Sequence, residues 1–312
     1  MFQVIVRCLF AGTLFLVPAL VSAQSAWQST NGPCTGFVYS QAVDATGTIY
    51  AGTGGRGVYV VEKVKGSAWQ QRNAGLQTNA VYAIVVDRNN KVFVGTDEGV
   101  YSSTNSGAQW ILSSDGLTTT FVNALAVGKN GSLFAATGGG GIFRSDDNGE
   151  SWKPVNAGLT SLIVLSLATD DGGNLYAGTD GSGIFRSHNN GDTWNDASKG
   201  LTNSAVLTLL VDPKGIVYAG TRGGGVFRST DYAGSWSEAN TSLRASSIYT
   251  LVTDNSGNIF AGTDQGAFAS TNMAWSWTPI NTGLTNPVVL SLAVTSSALL
   301  AGTGGSGVFR LQ

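Results

Sequence analysis

The chain has 312 residues, with 17 Lys and Arg against 19 Asp and Glu and a single histidine, for a net charge of −2. This balance offers no basic stripe to neutralise phosphates, which excludes nucleic acid as a partner, and one imidazole excludes a histidine-built metal site. Only 12% of the residues are charged while glycine reaches 43, as expected of a chain made from many tight turns.

Residues 1–23 read as a secretory signal peptide: Arg7 precedes an apolar stretch from Leu9 to Leu20, and Val21-Ser-Ala23 supplies small residues before Gln24. Its removal would leave residues 24–312 as an exported protein, periplasmic or extracellular. No later segment reaches the roughly 18 apolar residues of a membrane span. Cys8 leaves with the leader, so Cys34 has no intramolecular disulfide partner and stability must come from packing.

From Trp27 onward one unit repeats. The threonine of an Ala-Gly-Thr-like step returns at Thr53, Thr96, Thr137, Thr179, Thr221, Thr263 and Thr303, at intervals of 43, 41, 42, 42, 42 and 40 residues. A period near 42 with several short strand-like runs in each unit predicts an all-β fold, a single seven-bladed β-propeller of four-stranded blades. Residues 122–152 show the unit clearly. Val122 to Val127 is an apolar run suited to an innermost strand a; Gly128-Lys-Asn-Gly131 is a tight turn; Leu133 to Thr137 is strand b. Gly141 to Ser145 follows as strand c, and strand d falls at Trp152.

The ends of the chain are complementary fragments of one unit. Trp27 stands 26 residues before Thr53, the offset of a strand d, whereas Gly307 to Gln312 is a strand c with nothing after it. Residues 25–30 are therefore expected to pair with 307–311, closing the propeller without an open sheet edge.

The c–d turn carries the most specific motif. Ser145-Asp-Asp147-Asn-Gly149-Glu-Ser151-Trp152 fits S-x-D-x-G-x-[ST]-W, and residues 187–194 and 229–236 are close copies; 103–110 and 270–277 are looser, and 62–69 keeps little but Gly66 and Trp69. On these residues the mature chain resembles the Asp-box, or BNR-repeat, propellers, which include sialidases, xyloglucanases and photosystem II assembly-factor-like proteins. The box itself is a structural device: its acidic or amide side chain accepts N–H groups of its own turn, and its aromatic residue wedges against a neighbouring strand.

Propeller geometry puts the a–b and c–d turns on one face and the b–c and d–a loops on the other, around the channel mouth. The residue after each threonine varies on that second face: Gly54, Asp97, Gly138, Asp180, Arg222, Asp264 and Gly304. With Arg56 and Glu98 added, the candidate ligand-binding residues are Arg56, Asp97, Glu98, Asp180, Arg222 and Asp264, a charged rim suited to a protein or a small polar ligand. The arginines at 144, 186, 228 and 310 recur at equal offsets and are expected to pack blades together.

The resemblance implies three alternatives. A binding or scaffolding propeller needs only an exposed face. A glycoside hydrolase needs paired carboxylates or a tyrosine nucleophile, for which Tyr39, Tyr82 and Tyr249 with Asp97, Glu98 and Asp115 are candidates, although no F-R-I-P-like sialidase motif occurs. A lectin would repeat a pocket motif on every blade, glycans then being the ligand. The expected protein is a non-enzymatic monomer with no catalytic residues, no metal site and no cofactor.

Overall fold

The computed structural model describes residues 25–33, 36–62 and 67–311; the expected signal peptide, Cys34 and Gly66 lie outside them. Every regular element among these residues is a β-strand, and no helix is long and apolar enough to cross a membrane. Five separate four-stranded antiparallel sheets are joined by one eight-stranded sheet made of the first and last blades. The fold is the seven-bladed propeller expected.

Blade 3 shows how a unit is built. Strand a, Val122–Val127, pairs with strand b, Leu133–Thr137, which pairs with strand c, Ile142–Ser145, and this pairs with Lys153–Pro154 as strand d. Strand d is shorter and later than expected. The reason is that the Trp152 N–H donates to the Asp115 carbonyl in the loop of the preceding blade, 2.8 Å away, and so is lost to strand c. Strand c likewise begins at Ile142 instead of Gly141, which sits in the turn at φ +78 with its N–H on the Leu162 carbonyl.

Successive blades are locked by the tryptophans. Trp152, Trp194, Trp236 and Trp277 are buried, and each Nε1–H donates to a main-chain carbonyl of the blade before it: Ser113, Val155, Ala197 and Ala239, at 2.7–2.8 Å. Three of the four repeated arginines do similar work in the opposite direction, whereas Arg310 donates to Ser297 Oγ within its own blade. Arg144 reaches the Asn190 carbonyl and the Asp192 carboxylate in the next blade's box, and Arg228 the Met273 carbonyl. Arg186 donates to the Tyr232 carbonyl.

The termini close the propeller as expected. Trp27–Ser29 pairs with Val308–Leu311 in the register Trp27 to Leu311, Gln28 to Arg310 and Ser29 to Phe309. Trp27 is buried, and its indole N–H donates to the Ile280 carbonyl of blade 6. Blade 1 departs from the rule: Trp69 is only half-buried and donates to the Thr30 hydroxyl at 3.0 Å, because the box before it is degenerate.

The Asp boxes fold as self-contained turns. Asp231 Oδ1 accepts Ser229 Oγ–H at 2.7 Å and the Ser235 N–H at 2.9 Å, while Asp231 Oδ2 accepts Ser235 Oγ–H. These donors, Ser229 first and Ser235 next, lower the Asp231 pKa from 3.8 to about 2, and the corresponding serines hold Asp147 well below the usual carboxylate range. A depressed folded-state pKa stabilises the fold above the ordinary value, and that stabilisation is lost as pH falls through the folded value. Asn189 makes the same turn without a charge, accepting the Thr193 N–H at 3.0 Å. The double variant D147N/D231N should therefore fold at neutral pH and lose less stability than the natural chain between pH 4 and 2. Melting temperatures across that range check this, and parallel curves for the two proteins would refute it.

Candidate functional site

Each strand a begins with a β-bulge one residue after its first buried position, at Tyr39, Tyr82, Asn123, Leu165, Leu207, Tyr249 and Leu290. A bulge leaves its extra residue unpaired and re-aims the side chain. Here it turns seven side chains into the mouth of the central channel, a cavity of about 220 Å3. Two residues further along the strands, six blades supply aliphatic side chains, Ile84, Leu125, Leu167, Leu209, Leu251 and Leu292, while blade 1 supplies Gln41.

The mouth is not symmetric. On the side of blades 1 to 3, four aromatic side chains form a continuous arc. Phe37 stacks on Tyr39 with centroids 5.8 Å apart, Tyr39 on Tyr82 at 5.5 Å, and Tyr82 leans on Phe121 at 4.8 Å. Phe37 is 48% exposed and Phe121 39%, and Leu162 and Ile163 of blade 4 continue the apolar surface beside them. Exposed contiguous apolar surface of this kind marks contact sites in soluble proteins.

The variable residue after the threonine has a second meaning here. A Cβ on Gly54 would lie 2.4 Å from the Tyr39 ring, and one on Gly138 would lie 3.0 Å from the Phe121 ring. Neither position has a positive φ, so glycine stands there to make room for an aromatic ring and not to form a turn. Arg222 beside Ala205 and Asp264 beside Ser247 carry a charge next to a small residue, and Asp180 carries one beside Ile163. The sequence reading singled out the charges and missed Phe37, Phe121 and Gln41. The signal was present in Phe37 and Phe121, each just before the first valine of strand a and 17 residues before a glycine, Gly54 and Gly138.

The six charged candidates are spread around the rim and do not form one cluster. Arg222 Nη1 lies 3.1 Å from Asp180 Oδ1 in the adjacent blade, the one pair that the fold brings together. Asp97 accepts the Thr78 hydroxyl at 2.6 Å, and Asp264 accepts the Ser246 hydroxyl at 3.3 Å. Glu98 and Arg56 are positioned through their backbones: the Glu98 N–H donates to Thr96 Oγ1 and the Arg56 N–H to Thr53 Oγ1. The repeated threonine is thus a turn-former, its own hydroxyl donating to a glycine carbonyl, as Thr137 does to Gly141 at 2.9 Å. Among these six the carboxylates outnumber the guanidinium groups four to two, while the d–a loops of the same face add exposed Asp115, Lys199 and Arg244.

Burial first, then the Asp97 charge and Tyr39, push the Tyr82 phenol up. On the opposite face, His188 bonds Asn174 within the c–d and a–b turns, and Trp275, 55% exposed, lies under the Arg228 guanidinium at 4.1 Å. Among the described residues no group of His, Cys, Asp and Glu could hold a metal ion.

Residues 23–159 match the family model described as the DUF6242 beta propeller domain. No curated protein matches the chain by sequence. Similar solved structures include the extracellular domain of a hybrid two component system from B. thetaiotaomicron, 20% identical, with a TM-score of 0.76 over 92% of this chain and 39% of that one. YCF48 bound to D1 peptide is 16% identical, with a TM-score of 0.71 over 91% and 96% of the two chains. The GH74 xyloglucanase from Xanthomonas campestris is 16% identical, with a TM-score of 0.76 over 92% and 53%. The chain thus spans about two fifths of the two component system's extracellular domain and about half of the xyloglucanase. The fold is that of the β-propellers, and at these identities the likeness is one of fold.

Proposed function

We propose that this protein is an exported, non-enzymatic binding propeller that presents its b–c and d–a face, around the channel mouth, to a partner. The observation that carries the reading is the exposed arc of Phe37, Tyr39, Tyr82 and Phe121, placed where repeated blades stop being alike. Packing gives no reason to stack four rings at a solvent-facing rim, because the core of each blade is already closed by its tryptophan and strand-b side chains. The structural likeness to YCF48 bound to D1 peptide and to the extracellular domain of a hybrid two component system agrees with such a role. The charged residues Arg56, Asp97, Glu98, Asp180, Arg222 and Asp264 then set orientation and selectivity around the apolar arc.

The test compares the two faces. The immobilised mature chain is used to capture partners from its native envelope or secreted fraction, beside the variants F37A/F121A and Y232A/W275A. Substitutions at exposed positions cost within about 0.5 kcal/mol, so both should stay folded. F37A/F121A should lose the captured species at least tenfold, and Y232A/W275A should keep it. Retention by the first variant together with loss by the second would overturn the assignment of the face. Hydrolysis of sialosides or β-glucans, abolished by changing Glu98 or Tyr82, would establish an enzyme instead.

A further inference from the structure

The junction between the last blade and the first is built differently from its counterparts. Ile49 of strand b faces Val61 of strand c, at the register position where other blades carry Ser103, Ser145, Ser187, Ser229 and Ser270. There the serine hydroxyl fastens the box turn by accepting the N–H four residues on, as Ser145 does from Gly149 at 2.8 Å and Ser229 from Ala233 at 2.9 Å. Valine has no such acceptor. The wall opposite departs as well, because Leu300 stands where the other six blades carry Tyr50, Phe93, Phe134, Tyr176, Tyr218 and Phe260. Elsewhere such a ring lies under the next blade's box: a Cβ on Gly149 would lie 2.8 Å from the Phe93 ring, and one on Gly191 3.1 Å from that of Phe134. Here a cavity of about 650 Å3 opens between the two blades, on the face of the a–b and c–d turns. Val43, Ile49, Val61, Trp69, Val294 and Leu300 give it an apolar lining, and Arg310 supplies a guanidinium.

Arg310 is the strand-c arginine of the last blade. Its counterparts Arg144, Arg186 and Arg228 each donate to a main-chain carbonyl of the next blade's box, that of Asn190, Tyr232 or Met273, residues held at φ of 57 or 58. Arg310 is exposed, and among the described residues it meets only Ser297 Oγ, at 3.3 Å. The other charged groups of the lining are already engaged: Asp44 accepts from Thr46, Thr48 and Tyr50, and Glu62 pairs with Arg72 at 2.9 Å. The guanidinium is thus the one cationic donor that lines the cavity, and it lacks the peptide carbonyl its counterparts hold. The carboxylates of Asp44 and Glu62 set the site against an acidic occupant.

We infer that this junction is a second binding site, for a short uncharged peptide segment of a partner, with one main-chain carbonyl on Arg310 and one bulky apolar side chain among Val43, Val61 and Val294. A stretch of main chain is what the repeat itself lays against this arginine in blades 3, 4 and 5. The volume falls within the roughly 300–1,000 Å3 of pockets that hold drug-sized ligands, which is room for such a segment. The site shares no lining residue with the channel mouth, so it stands or falls apart from the proposed binding face.

Blocked tripeptides acetyl-Gly-X-Gly-amide, with X as Phe, Leu, Ala or Glu, are titrated into the mature chain while the methyl signals of its valines and leucines are followed by NMR. Phe and Leu should bind at least tenfold tighter than Ala, and Glu no better than Ala. The Phe ring should shift the methyls of Val43, Val61 and Val294 and leave those of Leu165 and Leu290 at the channel mouth in place. Arg310→Met, at an exposed position where folding is little affected, should weaken the Phe and Leu peptides at least tenfold through loss of a charge-assisted hydrogen bond. Val61→Phe, which fills the cavity, should abolish the preference for Phe over Ala. Should that variant lower the melting temperature, the methyl shifts of the natural protein and the Arg310→Met titration decide without it.

Equal affinity for Phe and Ala, or methyl shifts confined to the channel mouth, would overturn the site. So would a Phe peptide indifferent to Arg310→Met, or no shift of any methyl at millimolar peptide. F37A/F121A should bind these peptides as the natural chain does, and a loss there would move the site to the channel mouth and overturn it here.

Discussion

Replacing Trp27 by alanine is expected to lower the unfolding free energy by about 3–5 kcal/mol, the usual cost of truncating a buried tryptophan to alanine. Trp27 is 3% exposed and packs with Val289, Leu292, Leu299 and Phe309 of the last blade, so its loss leaves a cavity there. It also removes the indole donor to the Ile280 carbonyl that ties blade 7 to blade 6. The backbone of Trp27 contributes separately through its N–H, 2.8 Å from the Thr282 carbonyl. A chain starting at residue 31 should therefore melt even lower, because the edge of Val308–Leu311 then has no partner. Trp69→Ala provides the comparison. That indole meets a flexible hydroxyl, not a fixed carbonyl, and is only half-buried, so its loss should cost clearly less. Thermal or urea unfolding of the three proteins decides the matter. A Trp27→Ala protein as stable as the natural chain, or less affected than Trp69→Ala, would mean that the closing strand does not hold the propeller together.

The architecture was legible because it depends on spacing. A buried tryptophan every 42 or so residues, a threonine in phase with it and an unfinished unit at each end suffice to predict the blades and their closure. The bulge at the start of strand a was not legible in this way, since nothing in Val122-Asn-Ala or Val81-Tyr-Ala marks one residue as unpaired. Without the bulge, strict alternation puts Tyr39 and Tyr82 on ordinary strand faces, and the arc they form with Phe37 and Phe121 is invisible. The charged residues after each threonine stood out instead, because loop charges are conspicuous in a repeat. The fold shows that glycines at the same position, Gly54 and Gly138, matter as much by making room for rings. Gln41 was hidden for a further reason: it breaks an aliphatic pattern that emerges only when seven strands are aligned around one channel.

A second repeated motif, in the d–a loops, makes the last prediction. The stretches Asn73-Ala-Gly75-Leu, Asn156-Ala-Gly158-Leu and Asn281-Thr-Gly283-Leu share one geometry. The asparagine Oδ1 accepts the N–H at the start of strand c, as Asn156 does from Ile142 at 2.7 Å, and the next carbonyl accepts the following blade's tryptophan N–H, as Ala157 does from Trp194 at 2.8 Å. The glycine then turns back at positive φ against that tryptophan's own carbonyl. A Cβ on Gly158 would lie 2.0 Å from the Trp194 carbonyl oxygen, at a φ of +92. Backbone lies on both sides of this contact, so relief requires the whole inter-blade loop to move. Gly158→Ala should therefore cost about 1–3 kcal/mol, at least the left-handed penalty of an L-residue. The same slot between blades 5 and 6 holds Ser242, at φ +62, and there the tryptophan bond is longer, 3.0 Å from Trp277 to the Thr241 carbonyl. One joint thus already carries a side chain, and the cost at Gly158 stays within what the loop can absorb without opening the propeller. Ser242→Gly should in turn stabilise the protein by about 1 kcal/mol, through relief of the left-handed serine offset in part by the added freedom of the unfolded chain. Measured by chemical denaturation, the two substitutions must move stability in opposite directions. A neutral Gly158→Ala would show that this glycine is dispensable, and a destabilising Ser242→Gly would show that the serine side chain makes a contact worth more than the strain it imposes.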